Sequence, residues 1–255
     1  MKIASWNVNS LKVRLPQLLD WLAAAQPDVA CLQETKLEDH NFPQQAIEAA
    51  GYQVVFSGQK TYNGVALLAR QPIGDVVCGN PRFADPQQRL IAATVGELRV
   101  ICAYVPNGQA IGSDKYAYKL AWLDALHDWL GEQLAEHPRL ALVGDFNIAP
   151  EDRDVHDPAA WAGQILCSDD ERAAFARLLA LGLKDSFRLF EQPEKSYSWW
   201  DYRMLGFQRN RGLRIDHILL STPLVERCSA AGIDREMRKR ERPSDHAPVT
   251  AEISD

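Results

Sequence analysis

The pattern of hydrophobic and polar positions predicts strands and helices that alternate along the chain. Short apolar runs bounded by turn residues indicate strands at 2–7, 29–33, 52–57, 65–69, 90–95, 99–105, 140–143, 196–200, 214–220 and 249–253. Apolar residues at helical spacing predict helices at 11–25, 42–50, 116–135 and 169–181. Ser10 and Ser168 occupy expected N-cap positions, and Gly182 follows the last of these helices.

Strands and helices occur in both halves of the 255 residues, and no linker rich in proline, glycine or serine divides the chain. We find no short repeat and no low-complexity segment. The sequence therefore predicts an α/β protein with a single domain, 1–255, in which two packed sheets carry helices on their outer faces.

The composition is that of an ordinary globular protein, with 46% hydrophobic and 24% charged residues. No apolar run approaches the ~18 residues that a membrane-spanning helix requires, and the N-terminus leads directly into a strand. We therefore expect no membrane association and no signal peptide. The five cysteines lack the spacing of metal ligands, and Cys31 and Cys102 lie in apolar runs. They are expected to be buried thiols of a cytoplasmic protein.

The net charge of −6 argues weakly against a nucleic-acid partner, but binding depends on the local field. Two stretches, 203–214 and 235–242, are rich in arginine. Each is either a solvated face or a surface that contacts phosphate. Aromatic residues precede the first stretch, an arrangement that suits stacking on bases. We expect one of Trp199 and Trp200 to be buried and the other to line a pocket.

Carboxylate and amide side chains follow two of the predicted strands where each strand ends. Hard cations such as Mg²⁺ prefer a few carboxylates, with water and phosphate completing the shell, so Glu34 is a candidate metal ligand. Asp145 can accept a proton from attacking water, and Asn147 can donate to charge that develops on phosphate oxygens. We expect an extended segment that directs both side chains to one side; the alternative is an Asx turn that closes the strand.

Four further polar residues are candidates to hold phosphate. Asn7 and Asn9 follow the first strand, although Asn9 can instead cap the next helix or contact a metal through water. Tyr104 lies near the end of the strand at 99–105 and is either a phosphate donor or a rim tyrosine. Asn107 either contacts a nucleic-acid backbone or forms the turn with the glycine that follows.

Asp216 and His246 form a natural pair, because a carboxylate fixes the tautomer of an imidazole and favours its protonated form. The alternative is a polar cluster on the surface. Asp245, next to the imidazole, is a candidate to complete a metal shell, directly or through water. His217 has no partner that the sequence identifies, and we interpret it as structural.

The joint order of these motifs is more specific than any one of them. They are Trp6-Asn7-Val8-Asn9, Leu32-Gln33-Glu34, Gly58-Gln59-Lys60 with Tyr62-Asn63-Gly64-Val65-Ala66, Tyr104-Val105-Pro106-Asn107-Gly108, Gly144-Asp145-Phe146-Asn147, Trp200-Asp201-Tyr202-Arg203, Gly212-Leu213-Arg214-Ile215-Asp216 and Ser244-Asp245-His246-Ala247-Pro248. In this order the chain resembles, over nearly its whole length, the exonuclease III family of abasic-site endonucleases and 3′-end-processing nucleases.

The resemblance implies a fold and an activity. The fold is a four-layer α/β sandwich of two packed mixed β-sheets flanked by helices. The activity is metal-dependent hydrolysis of the phosphodiester 5′ to an abasic site in duplex DNA, together with 3′–5′ exonuclease and 3′-phosphatase action. Mg²⁺ is the expected cofactor, with Mn²⁺ as a substitute, and a monomer acting on DNA with abasic sites or blocked 3′ ends is the expected state.

The resemblance also implies a role for each matched residue. The metal is assigned to Glu34, Asn9 and Asp245. The reaction itself is assigned to Asp145 as the base for water, His246 with Asp216 as the charge-stabilising pair, and Asn147, Asn7 and Tyr104 as donors to phosphate oxygens. Contacts to substrate are assigned to Asn107, Trp199, Leu213, Ile215, Arg203 and Arg214, of which Trp199, Leu213 and Ile215 match the walls of a pocket for the base-less sugar.

Some relatives carry an aromatic residue where this chain has Leu213. We expect the smaller leucine either to loosen the pocket or to change the balance between internal abasic sites and 3′ ends. Trp161 and Leu166, in the loop at 152–168, are further candidates to restrict entry of an extruded sugar. Three alternatives therefore remain: a relative specialised for 3′ ends, a phosphodiesterase of the same fold with a non-DNA substrate, and a DNA-binding module. The acidic residues argue against the last, because without a metal they would repel phosphate.

Overall fold

Two β-sheets of six strands each lie face to face within residues 1–254, the part of the chain that the computed structural model describes. The strands are β1 Lys2–Asn7, β2 Val29–Gln33, β3 Gln53–Ser57, β4 Val65–Ala69, β5 Ile73–Cys78, β6 Leu90–Val95, β7 Leu98–Tyr104, β8 Leu140–Asp145, β9 Leu183–Asp185, β10 Trp199–Trp200, β11 Gly212–Leu213, β12 Asp216–Ser221, β13 Cys228–Ile233 and β14 Val249–Ile253. The first sheet has the order β13-β14-β1-β2-β4-β3 and the second the order β5-β6-β7-β8-β12-β9. Strands β10 and β11 pair separately.

The helices cover the outer faces of the two sheets. They are α1 Leu11–Ala25, α2 Gln44–Ala49, α3 Asp114–Glu136, α4 Pro158–Trp161, α5 Asp169–Ala180 and α6 Thr222–Val225. One apolar core fills the space between the sheets, a second packs α1 and α2 against the first sheet, and a third packs α3 and α5 against the second sheet. The predicted four-layer α/β sandwich is therefore confirmed. No helix within residues 1–254 has the length and apolar character needed to cross a membrane.

The pairing of the strands brings the polar motifs to one edge. Strands β1 and β2 are parallel, as are β7 and β8, so the carboxyl ends within each pair lie together. Strand β14 is antiparallel to β1, and β12 is antiparallel to β8, so these two strands begin where their partners end. This pairing brings residues from distant parts of the sequence to the same edge. They are the residues that follow β2 and β8, those that precede β14, and those that open β12.

Gly144 allows β7 and β8 to approach each other just before this edge. Its φ is +148°, and a Cβ atom at this position would lie 1.8 Å from the carbonyl oxygen of Ala103 on β7. Any side chain there would push the two strands apart. The glycine of the motif Gly144-Asp145-Phe146-Asn147 is therefore required by the backbone.

The capping predictions have different outcomes. Ser168 caps α5, accepting from the N–H of Glu171 in a reciprocal capping box. The prediction that Ser10 caps α1 through its side chain is wrong: Ser10 has φ 84° and makes no side-chain capping bond. Its N–H donates instead to the carbonyl oxygen of Glu34 at 2.8 Å, and that of Leu11 donates to the carbonyl oxygen of Thr35 at 3.0 Å.

Four short or exposed strands were not predicted from the pattern, namely β5, β9, β11 and β13. Strands β5 and β13 lie at the outer edges of their sheets and are largely exposed, so they lack the apolar runs by which strands are recognised. The strand predicted at 196–200 is reduced to β10. Cys31 and Cys102 are buried free thiols, as predicted.

Candidate active site

Asn7 links carboxylates that belong to the two different sheets. Its Nδ2 donates to Glu34 Oε1 at 2.8 Å and to Asp145 Oδ2 at 2.9 Å. Asn7 ends β1, Glu34 follows β2, and Asp145 ends β8. The predicted convergence of the strand-end residues is therefore present across the interface of the sheets.

Glu34, Asp145 and His246 form one cluster, in which one ligand atom from each residue lies within 4.8 Å of the other two. Asp145 and His246 are buried, whereas Glu34 is partly exposed at the mouth of the cluster. Two carboxylates with an open side are the donor set that a hard divalent cation prefers. The residues present therefore fit a metal ion.

The surroundings of Glu34 favour its ionised form. Burial alone would raise its pKa, but Lys36 Nζ lies 2.8 Å from Glu34 Oε2 and Asn7 donates to the other oxygen. The resulting pKa of Glu34 lies below its ordinary value. Tyr104 Oη also donates to Glu34 Oε1 at 2.9 Å, so the phenol enters the cluster as a donor. Burial, followed by the charge of Glu34, raises the pKa of Tyr104 well above its ordinary value, which keeps this phenol protonated.

Asp145 is the buried carboxylate of the cluster. Burial raises its pKa to about 7, with the charge of His246 opposing and that of Asp216 reinforcing the increase. A carboxylate with a pKa near neutrality is suited to take up a proton from water. The prediction that Asn147 continues an extended segment is wrong. Its φ is 49°, and its N–H donates to Asp145 Oδ1 at 2.9 Å. The Asx turn, our alternative interpretation, is correct, and it holds one oxygen of the carboxylate.

His246 pairs with Asp216 as predicted, with Nδ1 2.8 Å from Asp216 Oδ2. Burial would lower the pKa of the imidazole, but the charges of Asp216 and Asp145 outweigh it and raise the pKa to about 10. His246 is therefore protonated at neutral pH. Its Nε2 lies 3.7 Å from Asp145 Oδ2, which places a positive charge beside the buried carboxylate.

Asp245 lies beside the cluster, where its oxygens accept two hydrogen bonds. Asn9 Nδ2 donates to Asp245 Oδ1 at 2.9 Å, and Trp199 Nε1 donates to Asp245 Oδ2 at 2.9 Å. Asn9 Oδ1 in turn accepts from Lys36 Nζ at 2.5 Å. Asn9 and Asp245 therefore reach Glu34 through Lys36, a residue that the sequence analysis did not select. Its only signal is its position two residues after Glu34.

Asn107 and Asn147 are joined directly. Asn107 Nδ2 donates to Asn147 Oδ1 at 3.1 Å, and Asn147 Nδ2 donates to the carbonyl oxygen of Val105 at 3.0 Å. The loop after β7 therefore holds the amide that follows β8.

Leu213, Ile215 and Trp199 lie in one apolar cluster, whose other members are Ala149, Val155, Trp161, Ile165, Leu166 and Cys167. Leu213 is 0% exposed and Ile215 is 2% exposed, whereas Trp199 is partly exposed. Trp200 is fully buried, so the predicted burial of one tryptophan is confirmed, whereas a pocket lined by Trp199 stays a prediction. We call this set of apolar residues the wall cluster.

Two arginines assigned to substrate differ in their surroundings. The assignment of Arg214 to substrate is wrong: it is 1% exposed, and its guanidinium contacts Asp154 at 2.6 Å and Asp185 at 2.8 Å. These two ion pairs compensate the charge of Arg214 inside the protein. Arg203 has an 85% exposed side chain that pairs with Asp201, so it is accessible to a ligand.

His217 is structural, as predicted. Its Nε2 donates to the carbonyl oxygen of Ile148 at 3.0 Å, and its Nδ1 lies 3.0 Å from Arg214 Nη1. Because the carbonyl oxygen can only accept, Nε2 carries the proton and Nδ1 accepts from the guanidinium. His217 therefore holds the loop after β8 through a hydrogen bond to its backbone.

The sequence model of the Endonuclease/Exonuclease/phosphatase family matches residues 4–246, nearly the whole chain. The chain belongs to this family. The Endonuclease/Exonuclease/phosphatase assignment confirms the resemblance stated from the motifs, and it makes the protein an enzyme of the hydrolase class.

Individual relatives agree with this assignment. Exodeoxyribonuclease III of Haemophilus influenzae is 40% identical, covering 99% of this chain and 100% of the relative. A solved structure of the 3′ phosphatase NExo from Neisseria, bound to a product DNA hairpin, is 49% identical, with a TM-score of 0.98 over 100% of both chains. An AP endonuclease from Archaeoglobus fulgidus is 39% identical, with a TM-score of 0.96 over 100% of both chains. Family members with different named activities thus share this fold.

Proposed function

We propose that the protein is a metal-dependent DNA repair nuclease. It hydrolyses the phosphodiester 5′ to abasic sites in duplex DNA and acts on 3′ ends as a 3′–5′ exonuclease and 3′-phosphatase. The observation that carries this proposal is the link made by Asn7 between Glu34 and Asp145, with the protonated His246 beside them. A general base, the positively charged imidazole of His246 and amide donors lie around one point. This arrangement suits attack of water on the phosphorus of an anionic phosphodiester.

The proposed cofactor is Mg²⁺, with Mn²⁺ as a substitute. Glu34 would hold it, and Asn9 and Asp245 would contribute from the adjacent hydrogen-bonded pair; Asp145 and His246 complete the cluster around the same point. When bound, such an ion supplies Lewis-acid stabilisation and lowers the pKa of an attacking or leaving oxygen.

The proposed roles of the remaining residues follow from their contacts. Asp145 orients water and accepts its proton, for which a pKa of about 7 is suitable. His246, kept protonated by Asp216, stabilises negative charge on the phosphate oxygens. Asn7, Asn147 and Tyr104 carry N–H or O–H donors at the same edge of the sheets.

DNA is the proposed partner, and the Neisseria relative bound to a DNA hairpin supports it. Arg203 and Trp199 are proposed to contact the DNA backbone and sugar from the accessible side, with Asn107 at the opposite loop. We propose one domain, since the core between the sheets uses residues from Ile3 to Ile253. We also propose a monomer and, because the cysteines are free thiols, a cytoplasmic location.

A second candidate function is processing of 3′ ends with little incision at internal abasic sites. The wall cluster favours it, because Leu213, Ile215 and Leu166 are buried against one another. An extruded sugar inside a duplex would have to separate these residues, whereas a terminal 3′ group approaches the carboxylates without entering an apolar pocket.

The test uses three labelled duplexes, one with an internal abasic analogue, one with a nick bearing a 3′-phosphate, and one with a recessed 3′-hydroxyl end. Each is incubated with Mg²⁺, with Mn²⁺ and with EDTA, and the products are separated on a denaturing gel. Mg²⁺-dependent cleavage of all three supports the main proposal. Activity at 3′ ends alone supports the second candidate. Absence of cleavage in Mg²⁺ and Mn²⁺ refutes both.

A further inference from the structure

The loop that carries Asn147 is held by side chains from three different parts of the fold. Its three consecutive carbonyl oxygens, at 147–149, accept hydrogen bonds from Lys119 at 2.7 Å, His217 at 3.0 Å and Arg172 at 3.1 Å. Asn147 itself has a left-handed φ of 49°, a conformation that asparagine adopts more readily than most other L residues. The three donors fix the backbone carbonyl groups of this turn and thereby set where it lies.

Lys119 is the most deeply placed of the three. It projects from α3 and is 0% exposed. Its ammonium group pairs with Glu171 and donates to the carbonyl oxygens of Asn147 and Asn107, the latter at 3.2 Å. All three ammonium hydrogens therefore have an acceptor, which a buried cation requires.

Glu171 extends the connection to a third loop. It is also 0% exposed, and its carboxylate accepts from the N–H of Leu166 at 3.1 Å and from the N–H of Ser168 at 3.0 Å. The ion pair thus connects the loop after β7, the loop after β8 and the segment that carries Leu166 of the wall cluster. Each of these three segments borders the candidate active site.

A buried ion pair contributes little net stability, because desolvation of both charges cancels much of their attraction. The ordinary stability of the fold therefore gives little reason for a lysine at this position of α3. The geometry gives a reason, because two of the ammonium hydrogens bond backbone carbonyl oxygens in two different loops, and the third bonds Glu171, which accepts from the N–H of Leu166.

We propose that Lys119 is a positioning residue, which holds the backbone of Asn147 so that its side-chain amide meets the phosphate oxygens. The inference rests on the proposed function. It also predicts that Lys119 acts through Asn147, so the effects of altering the two residues are not additive.

The test compares the wild type with four variants on the duplex with a nicked 3′-phosphate: the charge-free pair, Asn147→Ala, their combination, and a control. Lys119→Met with Glu171→Gln removes both charges, leaves no unpaired buried ion and keeps an acceptor for Leu166. Asn147→Ala is combined with this pair in a double-mutant cycle. Arg99→Met is the matched control, because Arg99 is a buried cation on β7 that donates to Gln133 and to Asp75 O at the end remote from Tyr104. Folding of each variant is measured by urea denaturation.

We expect the charge-free pair to lower kcat about 10- to 100-fold with KM changed less than about threefold, the scale of a misplaced catalytic group. In the Asn147→Ala background the same change should cost less than about threefold. The Arg99→Met control should retain kcat.

Three outcomes overturn the inference. The first is a folded charge-free variant with kcat within threefold of the wild type, and the second is an equal loss in the Asn147→Ala background. The third is a charge-free variant that no longer folds while Arg99→Met does, which would make the pair a requirement of the fold. A wild type that cleaves no DNA substrate refutes the proposed function and this inference with it, whereas an active wild type isolates the role of Lys119.

Discussion

Replacing Arg214 with methionine distinguishes a structural arginine from a DNA contact. The guanidinium lies in the interior, where Nε contacts Asp154 at 2.6 Å and Nη2 contacts Asp185 at 2.8 Å. Methionine fills much of the same volume but supplies no positive charge. Asp185 would lose its ionic partner, whereas Asp154 would retain Arg188.

The expected cost follows from these contacts. Removing one partner of a buried ion pair typically costs about 3–5 kcal/mol of folding free energy, because the remaining charge stays buried without compensation. The contact with Arg188 compensates part of the charge of Asp154, so we expect about 3 kcal/mol, the lower end of that range. For a chain of this length, each kcal/mol lowers the melting temperature by about 2–4 °C, which gives a decrease of about 6–12 °C.

The assay is thermal and urea unfolding followed by circular dichroism, combined with kinetics on duplex DNA at a temperature where the variant is folded. Arg203→Ala is the comparison, because its side chain is 85% exposed. It should leave the melting temperature near the wild-type value but raise KM and weaken the salt dependence of binding. Arg214→Met should leave KM near the wild-type value.

A stability loss below about 1 kcal/mol for Arg214→Met, on the scale of a surface ion pair, would refute the reasoning. A raised KM with unchanged stability would do so as well, and would return Arg214 to the substrate-binding set that the sequence suggested.

Three further predictions concern the carboxylates. Asp145→Asn and His246→Ala should each lower turnover at least roughly 10²-fold in single-turnover assays, the scale of a lost acid–base group, and near wild-type rates in both would contradict the mechanism. Mg²⁺ should raise the melting temperature of the wild type through binding linkage and do so less in Glu34→Gln; an equal increase would exclude Glu34 as a ligand. Burial would raise the pKa of Asp185, but the charge of Arg214 holds it well below its ordinary value. The depressed pKa contributes stability above the unfolded value of about 3.9, and this is lost as the pH falls below it. The stability gap between the wild type and Asp185→Asn, measured by urea unfolding, should therefore be larger at pH 7 than at pH 3.5, and a constant gap would contradict it.

The predictable part of the site consists of residues at strand ends. Apolar runs locate the strands that lead to Glu34 and Asp145, so each residue could be placed at the end of a strand without coordinates. Because the two strands belong to different sheets, their proximity followed only from the family resemblance. The pair of Asp216 and His246 was predictable because their chemistry is complementary.

The unpredictable part depends on long-range burial and on local backbone conformation. Arg214 belongs to an arginine-rich stretch, and no periodicity indicates that Asp154 and Asp185 enclose it. Lys119 falls among the polar positions of an amphipathic helix, so its burial against Glu171 appears only when α3 and α5 pack. The placement of the loop that carries Asn147 involves donors from three distant segments, which no local sequence pattern identifies.

The bridge made by Asn7 has a consequence for the cell that makes this protein. The proposed cutting machinery draws on side chains from Asn7 to His246, and its two central carboxylates belong to opposite sheets. A chain still emerging from the ribosome, or one truncated before His246, lacks part of that machinery however well its first half has folded. For the proposed nuclease, unfinished copies would therefore lack activity on DNA without the need for an inhibitor.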